Sequence, residues 1–142
     1  AALATIEKIE NTQAIQRMHS LGDTLMASLN KSIENAGLGD MITYSGEGWW
    51  PRAVLKETPI EPEKTLALMR QEYAAQNLLI ASGLNFCLAH DDEFIVQQTL
   101  ARAEKVFEKL STALNSSNPE GFIRGKIATS DFEVRGHMRG KH

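Results

Sequence analysis

A single cysteine, Cys87, stands among 142 residues, which rules out an internal disulfide and leaves the fold to be held by its core. Its neighbours in Leu84-Asn85-Phe86-Cys87-Leu88 are mostly apolar, so a reduced, buried thiol in a cytoplasmic protein is expected. No run approaches the ~20 apolar residues of a membrane span, and no basic segment followed by an apolar run opens the chain as a secretion signal would. An excess of positive charge is missing too: 15 Lys and Arg face 18 Asp and Glu, a net charge of −3. That excludes a general nucleic-acid binder, which needs a cationic surface to displace counterions. Neither the nucleophile elbow G-x-S-x-G nor the dinucleotide fingerprint G-x-G-x-x-G occurs. Repeats and low-complexity tracts are absent. The chain starts without Met, already inside a helical pattern, so it is expected to be a piece of something longer.

What is present has the make-up of one ordinary domain, 42% hydrophobic and 23% charged, globular rather than disordered and large enough for one core. Residues 1–36 read as helix, with a break or cap at Asn11-Thr12. Beyond it Ile15, Met18, Gly22, Leu25, Met26, Leu29 and Ile33 recur at steps of three and four, one apolar stripe on a long helix. Asn35, Gly37 and Gly39 end it. Met41 to Tyr44 reads as a strand, Ser45 to Gly48 as a turn and Trp49 to Glu57 as a second strand. Pro51 lacks a donor, which places that strand at an edge or bulge. Glu63 to Ser82 is the next predicted helix, striped by Leu66, Met69, Tyr73, Asn77 and Ile80. Leu84 to Ala89 is a third strand, apolar enough to be central. A last helix, capped by Asp91 or Asp92, buries Ile95, Thr99, Ala103, Val106, Leu110 and Leu114. The expected fold class is therefore α+β, a two-layer arrangement in which a small, mostly antiparallel sheet of about three strands is covered by long helices. Residues 116–142 carry five Lys or Arg against three acids, a net of +2 that leaves −5 for the rest. They read as a tail, disordered or docked on a partner.

Chemistry has few candidate seats. His90-Asp91-Asp92 has the His-Asp pair of metal-dependent phosphohydrolases, but helix capping by an aspartate explains it more simply, and no metal site is expected. Cys87 has no assignable His partner and reads as structural. Gly46-Glu47-Gly48-Trp49-Trp50-Pro51-Arg52 is the unusual stretch. Two adjacent tryptophans in a strand face opposite ways, so one of them should meet a ligand, another domain or another subunit. Arg52 offers a fork for a carboxylate or phosphate. Coverage of the domain's own edge by the tryptophans is the plainer alternative.

From Ala1 to about Leu114 the chain resembles the end of class III pyridoxal-phosphate-dependent aminotransferases, closest to the glutamate-1-semialdehyde aminotransferase branch. Ala1 to Ile9 is similar to the helix that follows the family's large domain. Gln16 to Asn30, with Leu21-Gly22, is similar to its "LGxxLxxxLN" linker helix. Gly83-Leu84-Asn85-Phe86-Cys87-Leu88-Ala89-His90-Asp91-Asp92-Glu93 resembles the closing strand that ends in "AHxDEDI". The resemblance implies that residues 1–115 are the C-terminal small domain of a fold type I enzyme, with 1–36 as linker helices. It implies pyridoxal phosphate held by a large domain of the same enzyme, a homodimer, a small-molecule amino donor and acceptor, and no nucleic-acid or membrane partner. The family's Schiff-base lysine and ring-pairing aspartate lie in the large domain, so no catalytic residue is carried over and the fragment alone is expected to be inactive. Trp49, Trp50, Arg52 and Asn85 are the substrate-side or interface candidates. Ser82 stands where glutamate-1-semialdehyde enzymes tend to carry a Glu, and the "GWWP" strand replaces a small, methionine-rich one, which puts semialdehyde specificity in doubt. An autonomous cytosolic protein-binding module using the Trp49-Trp50 strand is the alternative.

Overall fold

Two polar-to-apolar switches in the sequence, at Asn11-Thr12 and around Gly37, become the first two helix boundaries. The computed structural model describes residues 2–80 and 93–127. Helix α1 spans Ala2–Asn11 and α2 spans Ala14–Asn35. Between them the Thr12 hydroxyl donates to the Lys8 carbonyl at 2.6 Å and accepts from the Ala14 N–H at 3.3 Å, so one side chain serves both helix ends. Strands β1 (Ile42–Glu47) and β2 (Trp50–Leu55) form an antiparallel hairpin, followed by α3 (Pro62–Ala75), α4 (Glu93–Leu114) and a 3-10 turn at Pro119–Phe122. The fold is α+β. The described residues hold two strands rather than about three; the expected strand at 84–89 lies outside them. No helix among them is long and apolar enough to cross a membrane.

Helices α2 and α3 stop by the same device. At the end of α2, Gly37 is left-handed (φ 72°), its N–H reaches the Glu34 carbonyl, and the Leu38 N–H reaches Ile33. At the end of α3, Asn77 (φ 57°) takes the same role, with N–H bonds from Asn77 to Ala74 and from Leu78 to Tyr73. Both are Schellman endings, with an apolar residue folded back on the last turn. The helix expected to run from 63 to 82 therefore ends at Ala75, because asparagine tolerates the left-handed region that most side chains avoid. Asn77 is exposed rather than part of a buried stripe.

The core lies where α2, α3, α4 and β1 meet. Leu25, Leu29 and Ile33 of α2, Ile42 and Tyr44 of β1, Leu68, Met69 and Tyr73 of α3, and Val106, Phe107 and Leu110 of α4 are all buried. On α2 and α4 the expected stripes hold at their centres and C-terminal ends, and slip in the first turn. On α2 Ile15 is exposed while Ala14 and Leu21 are buried; on α4 Ile95 is exposed while Val96 is buried. In each case the buried residue of the first turn is the immediate neighbour of the expected one.

Asn30, on α2, fixes the hairpin to the helices. Its side-chain carbonyl accepts from the Tyr44 N–H at 2.7 Å and its amide donates to the Tyr44 carbonyl at 2.9 Å. The amide thus occupies the outer edge of β1 as a neighbouring strand would. Since both Tyr44 backbone groups point away from β2, Tyr44 and Ala53 form a non-hydrogen-bonded pair, and so does the Gly46–Pro51 pair two residues on. Pro51 can therefore sit inside β2 without removing a rung of the ladder. On the inner face the Tyr44 and Tyr73 hydroxyls are 2.9 Å apart, and the Tyr73 ring meets Phe107 edge-on, 6.3 Å between centroids.

The first part of the expected tail lies on α3. Lys64 pairs with Glu120 at 2.9 Å, Gln71 bonds the Phe122 carbonyl and the Arg124 N–H, and Arg124 pairs with Glu72 at 3.0 Å. Residues 128–142 lie outside the described residues.

Two measurements probe this core. Asn30→Ala leaves two backbone groups of Tyr44 without their partner and is expected to lower stability in chemical denaturation by about 1–3 kcal/mol. Burial pushes the Tyr44 phenol up to about 12 and lifts Tyr73 well above its ordinary value, with the Tyr44 hydrogen bond and charge adding to Tyr73. The folded state then keeps protons that the unfolded chain releases near pH 10. The stability these groups contribute is complete below about pH 10 and is lost as pH rises toward 12. Between about pH 9 and about pH 11 the native protein should lose more stability than the Tyr44→Phe/Tyr73→Phe double variant, whose rings cannot ionise.

Candidate functional site

The hairpin tip rests on α2 where a glycine replaces a side chain. Gly22 faces the Gly48 carbonyl so closely that a Cβ on Gly22 would overlap it, and a Cβ on Gly48 would lie 2.7 Å from the His19 carbonyl oxygen. The Asp23 carboxylate stands beside Gly48 as well. Two glycines, one on the helix and one in the turn, thus let backbone meet backbone.

This seat sets the direction of the tryptophans. Pairing of Glu47 with Trp50 continues β1 through Ser45-Gly46-Glu47, residues expected to turn, and leaves only Gly48 and Trp49 as the connection. Trp49 therefore belongs to the turn and not to the strand. The alternation that would set two adjacent strand residues on opposite faces does not apply, and the rings lie side by side, 5.9 Å between centroids at 44°. His19 meets Trp49 edge-on at 6.2 Å and 70°. The Arg52 guanidinium carbon lies 5.7 Å from the Trp50 ring centroid, in a cation–π contact. His19, Trp49, Trp50 and Arg52 make one continuous row, and each tryptophan keeps more than a third of its surface exposed, 36% and 41%.

Of the sequence-derived candidates, Trp49, Trp50 and Arg52 are brought together, and Asn85 lies outside the described residues, as do Cys87, His90, Asp91 and Asp92. His19 is a member that sequence reading missed. Its signal was Gly22, three residues on: a small residue within an otherwise bulky stripe marks where something approaches closely. Among the described residues no three His, Cys, Asp or Glu side chains gather as a metal site would require. The lysines among them are exposed, save Lys64, which is half-buried and engaged by Glu61 and Glu120. None has the dry surroundings that turn a lysine into a nucleophile.

Comparison with known proteins finds no matching family profile, no matching curated protein and no matching solved structure.

The seat makes a prediction. Gly22→Ala inserts a methyl group into a backbone contact and is expected to lower stability by about 1–3 kcal/mol. It should also shift the tryptophan emission spectrum, since both tryptophans of the chain lie at the displaced tip.

Proposed function

We propose that this chain is the C-terminal small domain of a pyridoxal-phosphate-dependent aminotransferase of the class III, glutamate-1-semialdehyde aminotransferase-like kind. In this reading a large domain of the same polypeptide holds the cofactor, and the small domain closes over an amino donor or acceptor in a cytoplasmic homodimer. The observation that carries the reading is α1. It buries none of its own residues, and it leaves Leu3, Ile6 and Ile9 exposed at intervals of three. A helix with such a face is stable against a partner surface and marginal without one. Its position ahead of the long α2 is where the resembling family joins its two domains.

The described residues do not fit the cofactor. No lysine among them is placed to form its Schiff base, and no chemical step through the cofactor is assigned to them. When bound elsewhere in the polypeptide, pyridoxal phosphate supplies an electron sink for the carbon that loses or gains the amino group. The part left to this chain is shape: covering the cleft and excluding water. Exposure of Trp49 and Trp50 favours a second reading, an autonomous protein-binding module anchored on those rings.

The test is made on the complete polypeptide encoded by the gene. Borohydride reduction should fix pyridoxal phosphate to a lysine encoded upstream of Ala1, located by peptide mass spectrometry, and the 142-residue chain alone should take up none. A complete polypeptide that binds no pyridoxal phosphate, or that is labelled only within these 142 residues, overturns the assignment.

A further inference from the structure

Exposed apolar surface runs from α2 over the hairpin tip and down the outer face of β2. Ile15 is 41% exposed, Trp49 36%, Trp50 41% and Val54 43%. Ile15 lies one helical turn before His19, which touches Trp49. Trp50, Arg52 and Val54 alternate along β2 and so share one face. A patch centred on tryptophans with an arginine beside them has the composition of a binding hot spot.

The charges on this face decide what fits it. Glu47 lies directly across the hairpin from Trp50, and Arg52 lies two residues along from it. The ion pairs among the described residues involve neither one; Arg52 is laid over the Trp50 ring instead. A small anion attracted to Arg52 would be opposed by Glu47 and by Asp23 at the tip. A surface with an aromatic centre, a cation on one side and an anion on the other is complementary to its own copy turned by half a revolution, each cation then meeting an anion.

We propose that a second copy of this chain docks on the outer face of the hairpin about a two-fold axis. Trp50 packs against Trp50 of the partner subunit, and Arg52 of each copy pairs with Glu47 of the other. The proposal concerns only residues of this chain and holds whether or not the aminotransferase assignment does.

Sedimentation velocity of the 142-residue chain over a range of concentrations tests it. The native chain should dimerise, and its tryptophan emission should shift to the blue as the dimer forms, because both tryptophans lie in the patch. Trp50→Ala should weaken dimerisation by about tenfold or more. Arg52→Glu and Glu47→Arg should each weaken it, and the double variant Glu47→Arg/Arg52→Glu should restore it, since reversal of both charges recreates the pair. The charge variants lie on the exposed face and retain the test should Trp50→Ala fail to fold. A chain that stays monomeric throughout, a dimer indifferent to Trp50→Ala, or a double reversal no better than either single one overturns the proposal and leaves the patch to a different partner.

Discussion

Tyr44 is gripped at both ends. Its backbone is held by the Asn30 amide on α2, and its hydroxyl bonds Tyr73 on α3, whose ring stands edge-on to Phe107 of α4. One strand residue thus touches, directly or through one neighbour, every helix that encloses the core. A two-stranded hairpin alone is at best marginally stable in water. Among the described residues, helices give β1 a hydrogen-bonding edge through Asn30 and a buried inner face through Tyr73.

Polar groups inside this core carry a condition, because a phenol or amide removed from water is costly unless it is bonded. That condition is met. Among the described residues no buried side-chain nitrogen or oxygen lacks a hydrogen-bond partner. Thr65, fully buried at the start of α3, is satisfied by contacts to Thr58, Ile60 and Glu61. The satisfied network makes relative position specific in a way that apolar contacts alone would not. The hairpin cannot slip in register without separating Tyr44 from both partners at once.

The sequence showed what depends on local chemistry and hid what depends on distant pairs. The break at Asn11-Thr12, the glycine stop at Gly37, the two paired strands and the buried centres of α2 and α4 follow from capping, backbone freedom and periodicity, and they were legible. Asn77 was hidden because asparagine serves equally in a helix face and in a left-handed cap; only the fold behind it decides. The directions of Trp49 and Trp50 were hidden because a one-residue change in where a turn ends decides whether a ring belongs to the turn or to the strand. Asn30 gave no sign of its role, since a helix-face asparagine that bonds a strand edge fourteen residues later looks like any solvated one. The docking of Phe122 and Arg124 on Gln71 and Glu72 likewise joins residues about fifty positions apart, beyond any periodic signal.

The contrast between inside and outside bears most directly on function. Among the described residues the buried polar side chains already have hydrogen-bond partners. Two of the exposed surfaces among the described residues are the apolar side of α1 and the row from His19 to Arg52 at the hairpin tip. These two surfaces differ in kind. The α1 face is apolar alone and selects nothing but another apolar face, which suits a permanent neighbour. The hairpin face combines aromatic rings with one charge of each sign, and a wrong partner there would strand a charge against an apolar wall. Under the proposals made for them, the first surface would supply adhesion and the second discrimination. The core holds the second rigid by seating its tip on Gly22, where a single methyl group would lift it away.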